Sequence, residues 1–437
     1  MNDIIKALKP LQTILIQREL NQLVLIVEAT VAMAGRVTML GISRWTEQGG
    51  SYRTVQRFFN GVHDWAAWRW ALVKSQLDAM PCTWIMVGDE VVVTKSGKET
   101  FGLGKFFSSI QNQVVGGLCF INISLVHVES RRSFPLVMEQ LVRPETQDSA
   151  PKAPAKSSAK KPGRPKGSKN KSRTEVTLSA FQLQLQLCIR LALNLIIGNL
   201  STQYFAYDGA LGNNGGLQLV KQTGLHLISK LRHTSALYFP HTAPHSGRGK
   251  PKKYGDKFTV DGLTDEQLCH ETVENNVKTR IYQVQLWHKN FPELLNVVVI
   301  AKTNLINGKT AKVLLFSDDL YLDYDLLITS YQLRFQIEFN FRDAKQHWGL
   351  EDFMNIGATQ VGNAANFSMF MVTFSQLLLP QLQHLNIESM LDLKTVFRAR
   401  KYTRRIINCI GLNADELLID NRIFEAAELG RIHAKAA

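Results

Sequence analysis

The 437-residue chain lacks any apolar run of the roughly 18 residues that a membrane helix needs. Its longest apolar stretches, such as Val114–Val126, fall short, and the candidate at Phe181–Leu200 is interrupted by Gln182, Gln184, Gln186 and Arg190. Lys6 and Lys9 are followed by no sustained apolar core, so no secretory leader is expected. Cysteine is scarce. The five, at positions 82, 119, 188, 269 and 409, form no C-x-x-C pair, which argues against a cysteine zinc site and fits a reducing compartment. With 45% hydrophobic and 20% charged residues, the expectation is a globular cytoplasmic chain of two or three domains, with no membrane partner.

Acid is locally absent as well. Residues 150–174 hold nine Lys/Arg and no acid, 244–257 hold five basic residues against Asp256, and 398–405 hold five more with no acid. These segments together exceed the net charge of +14, so the remainder is slightly acidic. Positive charge concentrated on a near-neutral body points to a polyanion, most simply nucleic acid. The Pro/Lys/Ser/Gly-rich stretch 150–174 is expected to be a loop or disordered. Within it Pro162-Gly163-Arg164-Pro165-Lys166-Gly167 resembles an AT-hook, whose Arg164 and Lys166 would lie in an A/T-rich minor groove. A basic linker holding phosphates without sequence preference is the alternative. Arg248, Lys250, Lys252 and Lys253 form a second candidate DNA contact.

Residues 1–80 read as helical. Leu20–Ala34 is densely apolar without breakers, Thr38–Ile42 suits a short helix, and Ser51 would cap another over 51–59 after Gly49-Gly50. Arg53, Gln56 and Arg57 would be exposed on that last helix, an arrangement resembling a helix-turn-helix. A small helical bundle without DNA contact is the alternative.

Thr83–Asp89 is a short apolar run ending in an acid, the pattern of a buried strand that delivers Asp89 to an open edge. Residues 101–108 look like a loop, and Gln113–Val128 and Arg132–Leu141 like two further strands. Glu175–Asn199 reads as a long helix, Gln203–Asp208 as a strand again ending in an acid, Asn213–Thr223 as a helix and His226–Leu231 as a strand. Three strands, helix, strand, helix, strand is the order of an RNase H-like fold, in which the first and fourth strands are neighbours. Asp89 and Asp208 would then share one sheet end. Strands expected at Thr279–His288, Asn296–Lys302 and Lys312–Phe316 make 234–325 a β-rich insertion. The resulting α/β organisation has a helical DNA-binding domain at 1–80, a core at 81–233 and 326–380 around the insertion, and a basic helical region at 381–437.

One helix of about four turns is expected over Tyr331–Lys345, which contains no Gly or Pro. Tyr331, Arg334, Glu338, Arg342 and Lys345 fall within roughly 80° of one another on it, beside an apolar sector of Leu333, Ile337, Phe341 and Ala344. One carboxylate among cations and a phenol suits a metal ligand flanked by phosphate-gripping groups. Solvated salt bridges on an amphipathic helix give the same pattern. The spacing Tyr-x2-Arg-x3-Glu-x6-Lys resembles the YREK signature of DDE transposases of the insertion-sequence-four superfamily, the insertion-sequence-seven-hundred-and-one-like DDE endonucleases among them. The continuation Phe341–Glu351 is similar to the same group. Phe335 departs from it, since a Trp often follows the Arg there. The resemblance covers roughly residues 80–355.

Phosphodiester cleavage needs an activated water or hydroxyl and neutralisation of the leaving oxygen, and two Mg²⁺ ions about 4 Å apart, held by hard oxygen ligands, supply both. Mn²⁺ would substitute. Asp89, Asp208 and Glu338 are the candidate catalytic and metal-binding carboxylates. The resemblance implies that Tyr331, Arg334 and Lys345 contact phosphates at an element's end, with Arg342 beside them, and that the partners are double-stranded DNA (terminal inverted repeats and target) and a second copy of the chain. Glu90 would point to the opposite strand face. Asp318 and Asp319 lie in a turn signal and read as caps or solvated acids. Trp287 and Trp348 could stack on a base, though core packing is the commoner fate. A catalytically silent DNA-binding regulator on the same scaffold remains the second reading.

Overall fold

A computed structural model of the chain describes residues 2–46, 50–77, 83–108, 112–143, 172–244, 247 and 249–410. The first elements are helices: α1 (Asn2–Leu8), α2 (Gln17–Ala32), α3 (Met39–Trp45), α4 (Tyr52–Asn60) and α5 (Trp65–Lys74). Side-chain oxygens open three of them, since Thr38 accepts from the Gly41 amide, Ser51 from Thr54 and Asp64 from Ala67. Strands β1 (Trp84–Thr94), β2 (Gly104–Ser108), β3 (Gln113–His127) and β4 (Arg132–Leu141) follow, then α6 (Ala180–Ile196), β5 (Tyr204–Ala206), α7 (Asn214–Lys221) and β6 (His226–Leu231). Next come β7 (Leu237–Pro240), β8 (Tyr254–Lys257), β9 (Leu268–Glu274), β10 (Val277–His288), β11 (Leu294–Asn304) and β12 (Thr310–Ser317). The chain then continues through α8 (Tyr324–Leu333), α9 (Gln336–His347), α10 (Ala358–Leu382) and α11 (Met390–Ile410). None of the helices among the described residues is long and apolar enough to cross a membrane.

The chain divides into two compact units, Met1–Gln140 with Leu187–Thr202 and Leu333–Ala437, and Leu141–Gln186 with Gln203–Gln332. In the first, strands run in the order β2-β3-β1, and β4 also pairs with β3. Helices α5 and α10 pack through Trp65, Trp68, Phe367 and Phe370. Fully buried Arg69 donates to Leu136 O at 2.9 Å and to Asn366 O and Oδ1 at 3.1 and 2.9 Å, so its charge is spread over satisfied bonds. Of the basic run at 398–405, Arg398 donates to Ala32 O and Met33 O, and Arg400 to Asp3. Those two cations tie α11 to the N-terminal helices.

In the second unit the order is β5-β6-β12-β11-β10-β7-β8, with β9 also on β10. β5 and β6 are parallel, whereas β6–β12 and β11–β12 are antiparallel, which makes the sheet mixed. Strands of the 234–325 stretch thus extend the sheet of β5 and β6, joined to it through Leu314↔Leu231 to Ser317↔Ile228.

Three sequence expectations need correction. β1 does not stop at Asp89 but runs to Thr94, because β3 is long enough to pair with it down to Gly117 and because Val91 and Val93 keep the buried alternation going. Residues 104–108 form β2 rather than a loop, paired with Gln113–Gly117. The single helix expected over 331–345 is two: a turn at Arg334-Phe335 separates α8 from α9, with Ile337 N bonded to Arg334 O and Glu338 N to Phe335 O. Tighter i to i+3 bonds replace the regular ladder there.

Candidate active site

Asp89 lies in mid-strand on β1. In register it stands opposite Asn122 of β3, so the two side chains share one face of the sheet, and Glu90 points to the other face and is exposed. Asp89 Oδ1 accepts from the Glu90 amide at 2.9 Å, and Oδ2 accepts from Arg334 Nη1 at 2.7 Å. Asn122 is fully buried and its Oδ1 accepts from Ser124 Oγ at 2.8 Å. Its Nδ2 has no hydrogen-bond partner among the described residues.

Glu338 sits in the first turn of α9, where the positive end of the helix favours a carboxylate. Its Oε1 is 3.6 Å from Arg334 Nη2, so one guanidinium contacts both acids. Ile337, Phe341 and Ala344 bury the other side of α9, and Asn340 Nδ2 donates to Ser133 Oγ of β4 at 2.8 Å. At the far end Lys345 Nζ reaches Val92 O of β1 at 3.1 Å and Glu351 at 2.8 Å. The helix ends at Gly349 with φ +78°, a conformation glycine adopts without cost, and Leu350 N closes back onto Ala344 O. Trp348 is fully buried beside it, so core packing is its role.

Of the sequence-predicted residues, Asp89, Arg334, Glu338 and Lys345 come together within the first unit. Asp208 and Tyr331 belong to the second. Asp208 follows β5, its Oδ1 accepts from the Ala210 amide at 2.8 Å, and its carbonyl accepts from Ser229 Oγ at 2.6 Å. Tyr331 is half-buried near the end of α8. Arg342 pairs with Asp343 at 3.2 Å and lies over the Phe339 ring. Among the described residues no group of three or more His, Cys, Asp or Glu side chains could hold a metal ion.

Residues 11–291 match a family model described as a DDE superfamily endonuclease. The chain belongs to that family. Membership places it among nucleases of the transposase type, a family that acts on DNA. The matched stretch includes Asp89, Asn122 and Asp208 and ends before α9. No curated protein matches the chain significantly.

The remaining basic candidates of this DDE endonuclease sit elsewhere. Arg53 and Arg57 are exposed on α4, whose Val55, Phe58 and Phe59 face the core. Lys250 and Lys252 are exposed, whereas Lys253 is half-buried, donates to Pro292 O at 3.0 Å and lies 3.5 Å from the Trp287 ring centre. Arg164, Lys166 and Arg248 lie outside the described residues. Asp318 is neither a cap nor solvated: it is buried and accepts from Leu227 N at 2.8 Å and from His226 Nδ1 at 3.0 Å. Asp319 takes the Tyr204 hydroxyl at 2.8 Å, and the Tyr204 pKa is pushed up by burial and by that bond.

Asn122 and Lys95 were not singled out from the sequence. Lys95 Nζ, just past β1, donates to Phe353 O at 2.7 Å and Glu351 O at 3.2 Å, and burial brings its pKa down to about 8. Asn122 had a readable signal, since Asn122 and Ser124 are polar residues at strand period inside an otherwise apolar run. Lys95 had none, because what it contacts lies more than 250 residues away.

Proposed function

We propose that this DDE endonuclease is a transposase of the insertion-sequence-four superfamily, which binds the terminal inverted repeats of its element and cuts and rejoins DNA. Asp89, Asp208 and Glu338 are its three carboxylates, and Tyr331, Arg334, Glu338 and Lys345 its YREK set. The observation that carries this reading is that Asp89 and Glu338, 249 residues apart in the chain, contact the same guanidinium. Folding brings a strand carboxylate and a helix carboxylate onto a single cation.

The donor chemistry of that pair suits Mg²⁺ or Mn²⁺, since both acids offer hard anionic oxygens. Asp89 and Glu338 would hold the ions, with Asp208 the third carboxylate of the proposed set. Bound divalent ions supply an activated oxygen nucleophile and charge neutralisation at the leaving oxygen. The chain's own cations hold the DNA. The planar fork of Arg334 suits two oxygens of one phosphate, and Lys345 and Arg342 add positive charge along the same helix. In the first step a water oxygen bonds to phosphorus as the bond to the 3′ oxygen breaks, which frees a 3′-hydroxyl. That hydroxyl oxygen then bonds to a target phosphorus, and the target 3′ oxygen leaves.

The helical segment 1–80 with Arg53 and Arg57, the basic segment with Arg164 and Lys166, and the 247–253 stretch extend the DNA contact, and two copies of the chain pair the two ends. The test is strand cleavage of labelled duplex carrying the gene's own flanking ends, with Mg²⁺ or Mn²⁺, comparing wild type with Glu338→Gln. Cutting at the repeat boundary by wild type alone, with binding retained in the mutant, supports the transposase. Binding by both without cutting turns the assignment to a DNA-binding regulator.

A further inference from the structure

We propose that Arg334 makes metal loading depend on DNA, because its guanidinium and a divalent ion compete for the same carboxylate oxygens. This rests on the carboxylate assignment above. Arg334 Nη1 is 2.7 Å from Asp89 Oδ2 and Nη2 is 3.6 Å from Glu338 Oε1. The Arg334 and Asp89 side chains are only 14% and 21% exposed, so solvent screens the contact poorly. A guanidinium keeps its proton at any physiological pH and cannot leave by neutralising itself. Asp89 is also held in place, because Oδ1 takes the Glu90 amide.

The fork therefore leaves only when another anion draws it away. A DNA phosphate has the charge and the two-oxygen geometry to do so. Lys345, the neighbouring cation, already has Glu351 and Val92 O as partners, and it does not bridge the two acids. The binding order follows: the DNA end arrives first, Arg334 swings onto its phosphate, and the carboxylates then accept the ion. The enzyme is armed only on DNA.

Equilibrium Mn²⁺ binding to the full-length, DNA-free protein, read by electron paramagnetic resonance of the free ion, tests this without any cleavage. Arg334→Gln is expected to bind Mn²⁺ at least about tenfold more tightly than wild type. Duplex carrying the flanking ends should raise the wild-type affinity toward that of the variant and leave the variant unchanged. Equal or weaker Mn²⁺ binding by Arg334→Gln overturns the proposal. If Arg334→Gln does not fold, Arg334→Lys, which keeps the charge without the fork, decides in its place: about threefold tighter binding is expected, and no tightening overturns the proposal. Glu338→Gln separates the two levels of the claim. If it weakens binding while Arg334→Gln changes nothing, only the role of Arg334 falls. If the tighter binding of Arg334→Gln survives added Glu338→Gln, the carboxylate assignment falls, and the transposase reading with it.

Discussion

Asn122 stands directly across the β1–β3 pair from Asp89, fully buried, with Oδ1 bonded to Ser124 Oγ. Its Nδ2, with no partner among the described residues, is a donor placed beside the acid that would hold an ion. Asn122→Ala should therefore raise the Mn²⁺ concentration for half-maximal cleavage by about fivefold and cost about 1–3 kcal/mol of stability, since the buried Ser124 hydroxyl loses its acceptor. A metal titration of cleavage together with a thermal melt checks it. A lowered melting temperature with unchanged metal dependence would assign Asn122 to packing alone.

The two acids that meet Arg334 should differ in what they contribute to stability. Asp89 is close to the guanidinium and largely shielded, whereas Glu338 is farther away and 43% exposed. Asp89→Asn is expected to cost about 1–3 kcal/mol, since it leaves a shielded cation with a weaker partner. Glu338→Gln should cost less than about 1 kcal/mol, in the range of exposed pairs. Both should abolish cleavage. Urea unfolding of the two variants measures the difference, and an equal loss would contradict the geometry.

Two half-buried lysines give the fold an alkaline signature. Burial brings the pKa of Lys95 and of Lys394 to about 8, against 10.5 for a free lysine, and Lys394 Nζ donates to His347 O at 3.0 Å. Below pH 8 both groups are charged in the folded and unfolded states, and the folded state carries the desolvation cost. Between pH 8 and 10.5 the unfolded chain binds more protons, so the contribution of these lysines to stability rises with pH. Lys394→Met should flatten that rise in melts taken from pH 7.5 to 10. Parallel curves for variant and wild type would show that Lys394 does not titrate in this range.

Gly349 ends α9 with φ +78°, and a Cβ there would run into the Cβ of Val37. Gly349→Ala should destabilise the protein by about 2 kcal/mol or more, from backbone strain and overlap together. Because the same turn anchors the end of the glutamate helix, cleavage should fall as well. A melt within error of wild type would show that the turn yields easily.

Much of this architecture was legible from local pattern. Polar–apolar alternation and turn residues located β3, β4, β6, β10, β11 and β12, and Ser51 announced the start of α4. Misreadings came where a distant partner decides. Asp89 looked like a strand end because acids follow apolar runs there, yet β3 extends the pairing to Thr94. The turn at Arg334-Phe335 breaks a segment without Gly or Pro, at the residue whose side chain reaches Asp89.

The sequence by itself determined the alternation of helix and strand, the segregation of positive charge and the Tyr-x2-Arg-x3-Glu-x6-Lys spacing, because each depends only on neighbours along the chain. Tertiary structure decided that Arg334 joins Asp89 to Glu338 while Arg342 turns to Asp343, that Asn122 faces Asp89, and that Asp318 is buried. Those outcomes depend on which residue lies across a ladder or a packed helix, and on where a charge finds its counter-charge once water is excluded.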